Sequence, residues 1–119
     1  MAKKYLGLGL SEGATEGTVV FWKEGKHSLS ETAERRVILL FESLSVDVLW
    51  KIKTYEQETT DKVVGVITQK GGWGTHGAKL LREKGIPSLV LESVKGLLDD
   101  NDIVGINGGN GTVLKGERK

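Results

Sequence analysis

The sequence predicts an α/β fold with mixed sheets and short helices, on three observations. Apolar, β-branched runs of strand length recur along the chain, good helix formers fill only short stretches, and glycine-rich turns separate closely spaced strands. Tyr5 to Leu10 and Thr18 to Trp22 read as strands around a glycine turn, with Glu24-Gly25 as a further turn. Ser28 to Glu34 is polar and reads as loop, and Arg36 to Phe41 reads as a buried strand. Ser45 is placed to cap a short helix through about Lys53, with Val46, Leu49, Trp50 and Ile52 on its apolar side; Thr54 to Asp61 then reads as loop. Val63 to Thr68 is the next strand, and Ala78 to Lys84 is a helix that Gly85 stops and Pro87 keeps stopped. Strands at Ser88 to Leu91 and Ile103 to Ile106 precede a Gly108-Gly109-Asn110-Gly111 turn and a last strand, Thr112 to Lys115. Strands outnumber helices, and the hairpins imply mixed sheets with helices on one side.

Composition narrows the function classes. At 119 residues there is room for one core, so residues 1–119 are expected to form a single domain. A net charge of +1 gives no electrostatic argument for nucleic acid or a membrane surface as partner. No apolar run approaches the roughly 20 residues that span a bilayer, and the N-terminus has no signal-peptide core, so cytoplasm is the expected location. The absence of cysteine excludes disulfides and thiolate metal sites.

The densest chemistry lies in Gly71-Gly72-Trp73-Gly74-Thr75-His76-Gly77-Ala78, where a glycine-rich loop meets a helix start at a single histidine. The first helical turn offers unpaired N–H groups and the positive end of the helix dipole, a setting that stabilises an anion on or beside the ring. The same field favours neutral imidazole, whose lone pair can act as a nucleophile towards phosphorus. Glycines at 71, 72, 74 and 77 remove side chains that would obstruct a bulky phosphate donor, and Thr75 is placed to cap the helix or bond phosphoryl oxygens.

These residues carry a resemblance. Gly71-Gly72-x-x-Thr75-His76-x-Ala78 followed by Arg82-Glu83-x-Gly85-Ile86-Pro87 resembles the signature of the mobile, swivelling phosphohistidine domain of phosphoenolpyruvate-utilising enzymes, as in pyruvate phosphate dikinase, phosphoenolpyruvate synthase and enzyme I of the sugar phosphotransferase system. Leu97-Leu98-x-Asp100-x-Asp102-x-Val104-x-Ile106-x-Gly108-x-x-Gly111-x-Val113 is similar to the family's closing hairpin, and Gly13-Ala14-x-x-Gly17-x-Val19 to its opening strand and turn. The resemblance implies a swivelling β/β/α domain spanning nearly the whole chain. It implies His76 as the phosphate carrier, with Gly72, Gly74, Thr75, Gly77 and Ala78 as cradle, and Trp73 and Lys79 as candidate docking residues. The phosphoryl group would come from ATP or phosphoenolpyruvate and pass to pyruvate or another acceptor. Such a domain needs partner sites: an ATP-grasp protein, a phosphoenolpyruvate- or pyruvate-binding barrel, or both. Magnesium belongs to those partner sites, and no cofactor or metal is expected on this chain. Three departures from the family stand out. Gly74 occupies a position usually held by threonine, Lys79 replaces an aliphatic residue, and Leu91 stands where glycine commonly follows the strand. The missing threonine keeps open a second reading, an assembly or regulatory docking module of the same fold that is not phosphorylated.

A remote alternative is a dinucleotide-binding domain. Gly72-x-Gly74-x-x-Gly77 follows a strand and precedes a helix, with Glu92 twenty residues beyond Gly72. The helix is short, however, and the remaining chain has no room for further βαβ units. His27 reads as a solvated loop histidine. Asp99-Asp100-Asn101-Asp102 lacks the spacing of a calcium loop and reads as a turn. Trp22 and Trp50 read as packing residues, whereas Trp73 divides between folding back onto the sheet and facing a partner or a nucleotide base.

Overall fold

The computed structural model describes residues 3–23, 35–92, 94 and 97–116. His27, the Glu24-Gly25 turn and the Ser28 to Glu34 loop lie outside the described residues.

Among the described residues, eight strands and two helices follow the order β1 (Lys3–Leu6), β2 (Leu8–Ser11), β3 (Ala14–Phe21), β4 (Arg36–Ser43), α1 (Val48–Glu58), β5 (Lys62–Lys70), α2 (His76–Lys84), β6 (Ser88–Val90), β7 (Ile103–Asn107) and β8 (Thr112–Lys115). They form one mixed sheet in the order β1-β8-β7-β3-β4-β5-β6-β2. Strands β3, β4, β5 and β6 run parallel; the remaining pairs are antiparallel. The outermost strands are consecutive in sequence and joined only by Gly7, so one stretch of chain supplies both edges and draws the sheet round on itself. The exchange of partners needs glycine: the Gly7 N–H donates to the Gly111 carbonyl at 2.7 Å, and a Cβ on Gly7 would stand 1.9 Å from the Val90 carbonyl oxygen. The expected single strand from Tyr5 to Leu10 is therefore two.

Two cores result. Ile38, Leu40, Ile67, Leu89, Val104, Ile106 and Val113 fill the concave side, while Val37, Leu39, Phe41, Val63, Val66 and Leu81 meet the helices on the other. All of Val37 to Phe41 is buried, as a parallel strand covered on both faces requires. A register shift between β4 and β5 at Val37/Ile38 lets Val63 and Val66, three residues apart, face the same helices.

Helix α1 differs from its expected span. Its N-cap is Asp47, not Ser45, and it runs from Val48 to Glu58 through residues expected to be loop. The extension buries Tyr55 beside Ile52. Ser45 does not cap it: the Ser45 hydroxyl donates to Asp47 and accepts from Lys51 Nζ at 3.3 Å. That hydroxyl holds the Asp47 carboxyl below its ordinary value. Val46 and Trp50, expected on the apolar side, are exposed, Trp50 by 63%: Val46 precedes the helix, and Trp50 lies on the face opposite Val48, Ile52 and Tyr55, which are buried. Trp22 is half-buried against Phe41, in keeping with its expected packing role.

Helix α1 is tied down beyond its end by Asp61. Arg35 Nε and Nη2 donate to the two Asp61 oxygens at 3.2 and 2.9 Å, and the Tyr55 hydroxyl donates to Oδ2 at 2.6 Å. Burial pushes the Asp61 carboxyl up, but the Arg35 and Tyr55 hydrogen bonds outweigh it and hold the group below its usual range. Burial, and then the bond to Asp61, pushes the Tyr55 hydroxyl well above its ordinary value. No helix among the described residues is long and apolar enough to cross a membrane.

Candidate phosphoryl site

The glycine loop lies where β5 gives way to α2, beside the carboxyl end of the neighbouring parallel strand β4, the end at which α/β sheets place their ligands. Gly71 takes φ = 125°, a value that glycine adopts freely, and turns the chain out of the sheet. Trp73 and Gly74 form a turn. Thr75 is the N-cap of α2, and its hydroxyl accepts from the Ala78 N–H at 3.3 Å and donates to the Gly72 carbonyl at 2.9 Å. The Thr75 N–H donates to the same carbonyl at 3.1 Å. One threonine thus closes the loop and starts the helix.

His76 is the first helical residue and is exposed. Its imidazole has no hydrogen bond or ion pair among the described residues, nor do the N–H groups of His76 and Gly77. Two backbone donors and a free ring thus share the positive end of one helix.

The expected cradle residues have separate tasks. Cβ atoms on Gly72 or Gly74 would meet nothing within 4 Å, so both leave the approach open. Gly77 answers a packing need instead: a Cβ there would lie 2.9 Å from Leu44 Cβ and 3.0 Å from the Ser45 carbonyl oxygen, which seats α2 on the β4–α1 connection. The Ala78 methyl is buried against Leu10 and Val90, and its N–H is occupied by Thr75. Lys79 is exposed. Trp73 is 61% exposed; it does not fold onto the sheet but stacks on Arg82, whose guanidinium carbon lies 3.9 Å from the ring centroid.

Arg82, in the last turn of α2, is the loop-holding residue that sequence reasoning missed. Its Nη1 donates to the carbonyls of Trp73 at 2.9 Å and Leu10 at 3.0 Å, pinning the loop to α2 and β2. The only signal was its place in the Arg82-Glu83-x-Gly85 run, since the separation of Trp73 and Arg82 means nothing until the loop's path is known. Among the described residues no group of His, Asp and Glu is placed to hold a metal ion. Asp99 to Asp102 belongs to a turn in which Asp102 accepts from the Asp99 N–H at 2.7 Å and pairs with Lys115 at 3.1 Å.

The family pattern "PEP-utilising enzyme, mobile domain" matches residues 33–111, which include the whole loop and His76. Among solved structures, the chain is similar to Thermococcus kodakaraensis aconitase X in its holo-form, with a TM-score of 0.65, 19% identity, and coverage of 97% of this chain and 99% of that one. A UPF0107 protein solved in solution superposes with a TM-score of 0.65 at 18% identity, covering 97% of this chain and 100% of that one. The N-terminal domain of Enzyme 1 - Nitrogen gives a TM-score of 0.57 at 22% identity, covering 72% of this chain and 33% of that one. These likenesses are likenesses of fold. No curated protein sequence matches the chain.

Proposed function

The chain belongs to the mobile-domain family of phosphoenolpyruvate-utilising enzymes, and on that premise we propose that it is a phosphoryl carrier whose reactive group is His76. The observation that carries this reading is the exposed imidazole at the first position of α2, without a partner among the described residues, where the loop that the family pattern covers meets the helix. The ring's lone pair attacks the terminal phosphorus of ATP or phosphoenolpyruvate held by a partner. An N–P bond forms as the P–O bond to ADP or to the enolate of pyruvate breaks, and the leaving oxygen keeps the electron pair. The N–H groups of His76 and Gly77, without acceptors among the described residues, stabilise the phosphoryl oxygens, and Thr75 keeps the loop in place while the group is held. Pyruvate or another acceptor then attacks phosphorus and the N–P bond breaks. Nucleotide, magnesium and acceptor sites belong to partners, an ATP-grasp protein or a phosphoenolpyruvate-binding barrel, so the chain alone turns nothing over.

The test follows labelled phosphate. Protein incubated with source-cell extract and radiolabelled ATP or phosphoenolpyruvate acquires acid-labile, alkali-stable label, and isolated labelled protein returns it when acceptor and extract are added. Label that is acid-stable, or that His76→Ala retains, contradicts the reading.

One observation favours a second reading. Gly74 offers no hydroxyl where the family usually has threonine, and the neighbouring Trp73 presents a large aromatic face to solvent. A docking module of the same fold would use that face and dispense with phosphate. The two readings separate at His76→Ala, which abolishes transfer under the first and leaves partner binding and function intact under the second. The dinucleotide alternative has nothing further to support it: the glycines lie within the family match, and Glu92 is exposed.

A further inference from the structure

A cavity of about 370 Å3 runs beside α2 and β2, and its lining includes Ser11, Glu12, Trp73, Arg82 and Gly109 but not His76. Three features of that lining are unexplained by packing. The first is Ser11, only 4% exposed. The other buried polar side chains are satisfied: Thr59 and Thr68 bond carbonyls, Ser88 bonds the Ile86 carbonyl, and Asp61 and Asp102 are paired. The Ser11 hydroxyl has no partner among the described residues. A buried hydroxyl with no partner among the described residues, on a residue that lines a cavity, calls for an occupant that bonds it.

The second feature is a pair of opposite charges that do not neutralise one another. Arg82 bonds only through Nη1, to two backbone carbonyls, which leaves Nε and Nη2 without acceptors among the described residues. The exposed Glu12 carboxylate has neither ion pair nor hydrogen bond among them. The third feature is the Trp73 ring, an apolar wall held in place by the stacked guanidinium.

A simple anion would face Glu12, and a simple cation would face Arg82. A molecule carrying both charges a few bonds apart satisfies each, and the volume falls at the small end of ligand pockets. We propose that this cavity binds a free α-amino acid. Its carboxylate sits on Arg82 and the Ser11 hydroxyl, its ammonium sits at Glu12, and its side chain lies along Trp73. Because Arg82 also pins the glycine loop, occupancy touches the element that carries His76, but binding itself does not depend on phosphoryl chemistry.

The experiment is an amide-resolved NMR titration of the full chain with each proteinogenic L-amino acid in turn, into the millimolar range. At least one produces saturable shifts at Ser11, Glu12, Gly85 and Gly109 and at the Trp73 indole. Glu12→Gln weakens that binding by about tenfold or more, the loss expected of a hydrogen bond to a charged group. The deaminated carboxylate of the same carbon skeleton does not bind. Ser11→Ala weakens binding without lowering thermal stability, since the hydroxyl it removes has no partner among the described residues. His76→Ala binds as wild type does, so failure of this proposal is distinguishable from failure of the carrier reading. Arg82→Gln also weakens binding; should it not fold, Glu12→Gln decides, because Glu12 is exposed and bonded to nothing among the described residues. The proposal is overturned if no amino acid saturates, if Glu12→Gln binds undiminished, or if the deaminated carboxylate binds equally well.

Discussion

Where β5 begins, the Asp61 carboxylate is wholly buried and accepts hydrogen bonds from Arg35 and Tyr55. Where the same strand ends, the glycine loop leads to an exposed imidazole and two backbone N–H groups with no acceptor among the described residues. The first end is closed. Its polar groups satisfy one another, and a change to any of them leaves a buried group unpaired. The second end is open, and its imidazole and backbone donors, without protein acceptors among the described residues, are left to water or to a ligand. Under the carrier reading, stability is concentrated at one end of the strand and reactivity at the other, so the two should respond to different substitutions.

The largest effect is expected at the closed end. Asp61→Asn should lower unfolding free energy by about 3 kcal/mol, at the low end of the cost of breaking a buried pair because Arg35 keeps 28% exposure. It should leave the chemistry of the loop intact; denaturant unfolding and phosphate labelling measure the two separately. The Asp61 carboxyl is held below its unfolded value, so its contribution is present above about pH 4 and is lost as pH falls through the lower folded value. Stability measured across that acid range should fall more steeply for wild type than for Asp61→Asn.

Gly77→Ala sharpens the division within the loop itself. The new methyl meets Leu44 and Ser45 at 2.9 and 3.0 Å, and about 2 kcal/mol of destabilisation is expected. Thr75→Ala, which removes the N-cap and the Gly72 clasp, should cost about 1 kcal/mol, most of it recovered by Thr75→Ser. Thermal unfolding ranks the three. Gly74→Thr is accommodated, since nothing lies within 4 Å of its Cβ; under the carrier reading it restores the family's hydroxyl and raises the labelling rate without changing stability. The smallest stability effect is expected at His76→Ala, within about 0.5 kcal/mol, because the exposed ring has no hydrogen bond or ion pair among the described residues.

Much of this contrast was legible in the sequence at the open end and little of it at the closed end. The loop announced itself because glycines, a capping threonine and a helix start are local signals, and Thr75 caps α2 as its position predicts. The family's mixed fold was legible for the same reason, through short motifs that span the chain. Helix α1 was misjudged in both bounds because what extends it is tertiary: Tyr55 is pulled into the core by Asp61 and Arg35, residues distant from it in the chain or beyond the helix end. The same holds for Trp50, exposed because the face that packs on the core carries Val48, Ile52 and Tyr55 and Trp50 lies opposite it. Alternation along β5 could not reveal that Val63 and Val66 share a face, since the register shift depends on β4. Arg82 was visible as a residue and invisible as a clasp, because its acceptors lie on a loop and on a strand of different sequence position.

The measurement that bears most directly on the central claim is intact-mass spectrometry at neutral to alkaline pH, where phosphohistidine survives. Wild-type protein and His76→Ala would each be incubated with source-cell extract plus ATP or phosphoenolpyruvate. The account predicts one phosphoryl increment on the wild type with one of the two donors and none on His76→Ala. No increment with either donor, in an extract that phosphorylates a known carrier domain, would contradict it and leave the Trp73 face as the working surface of the molecule.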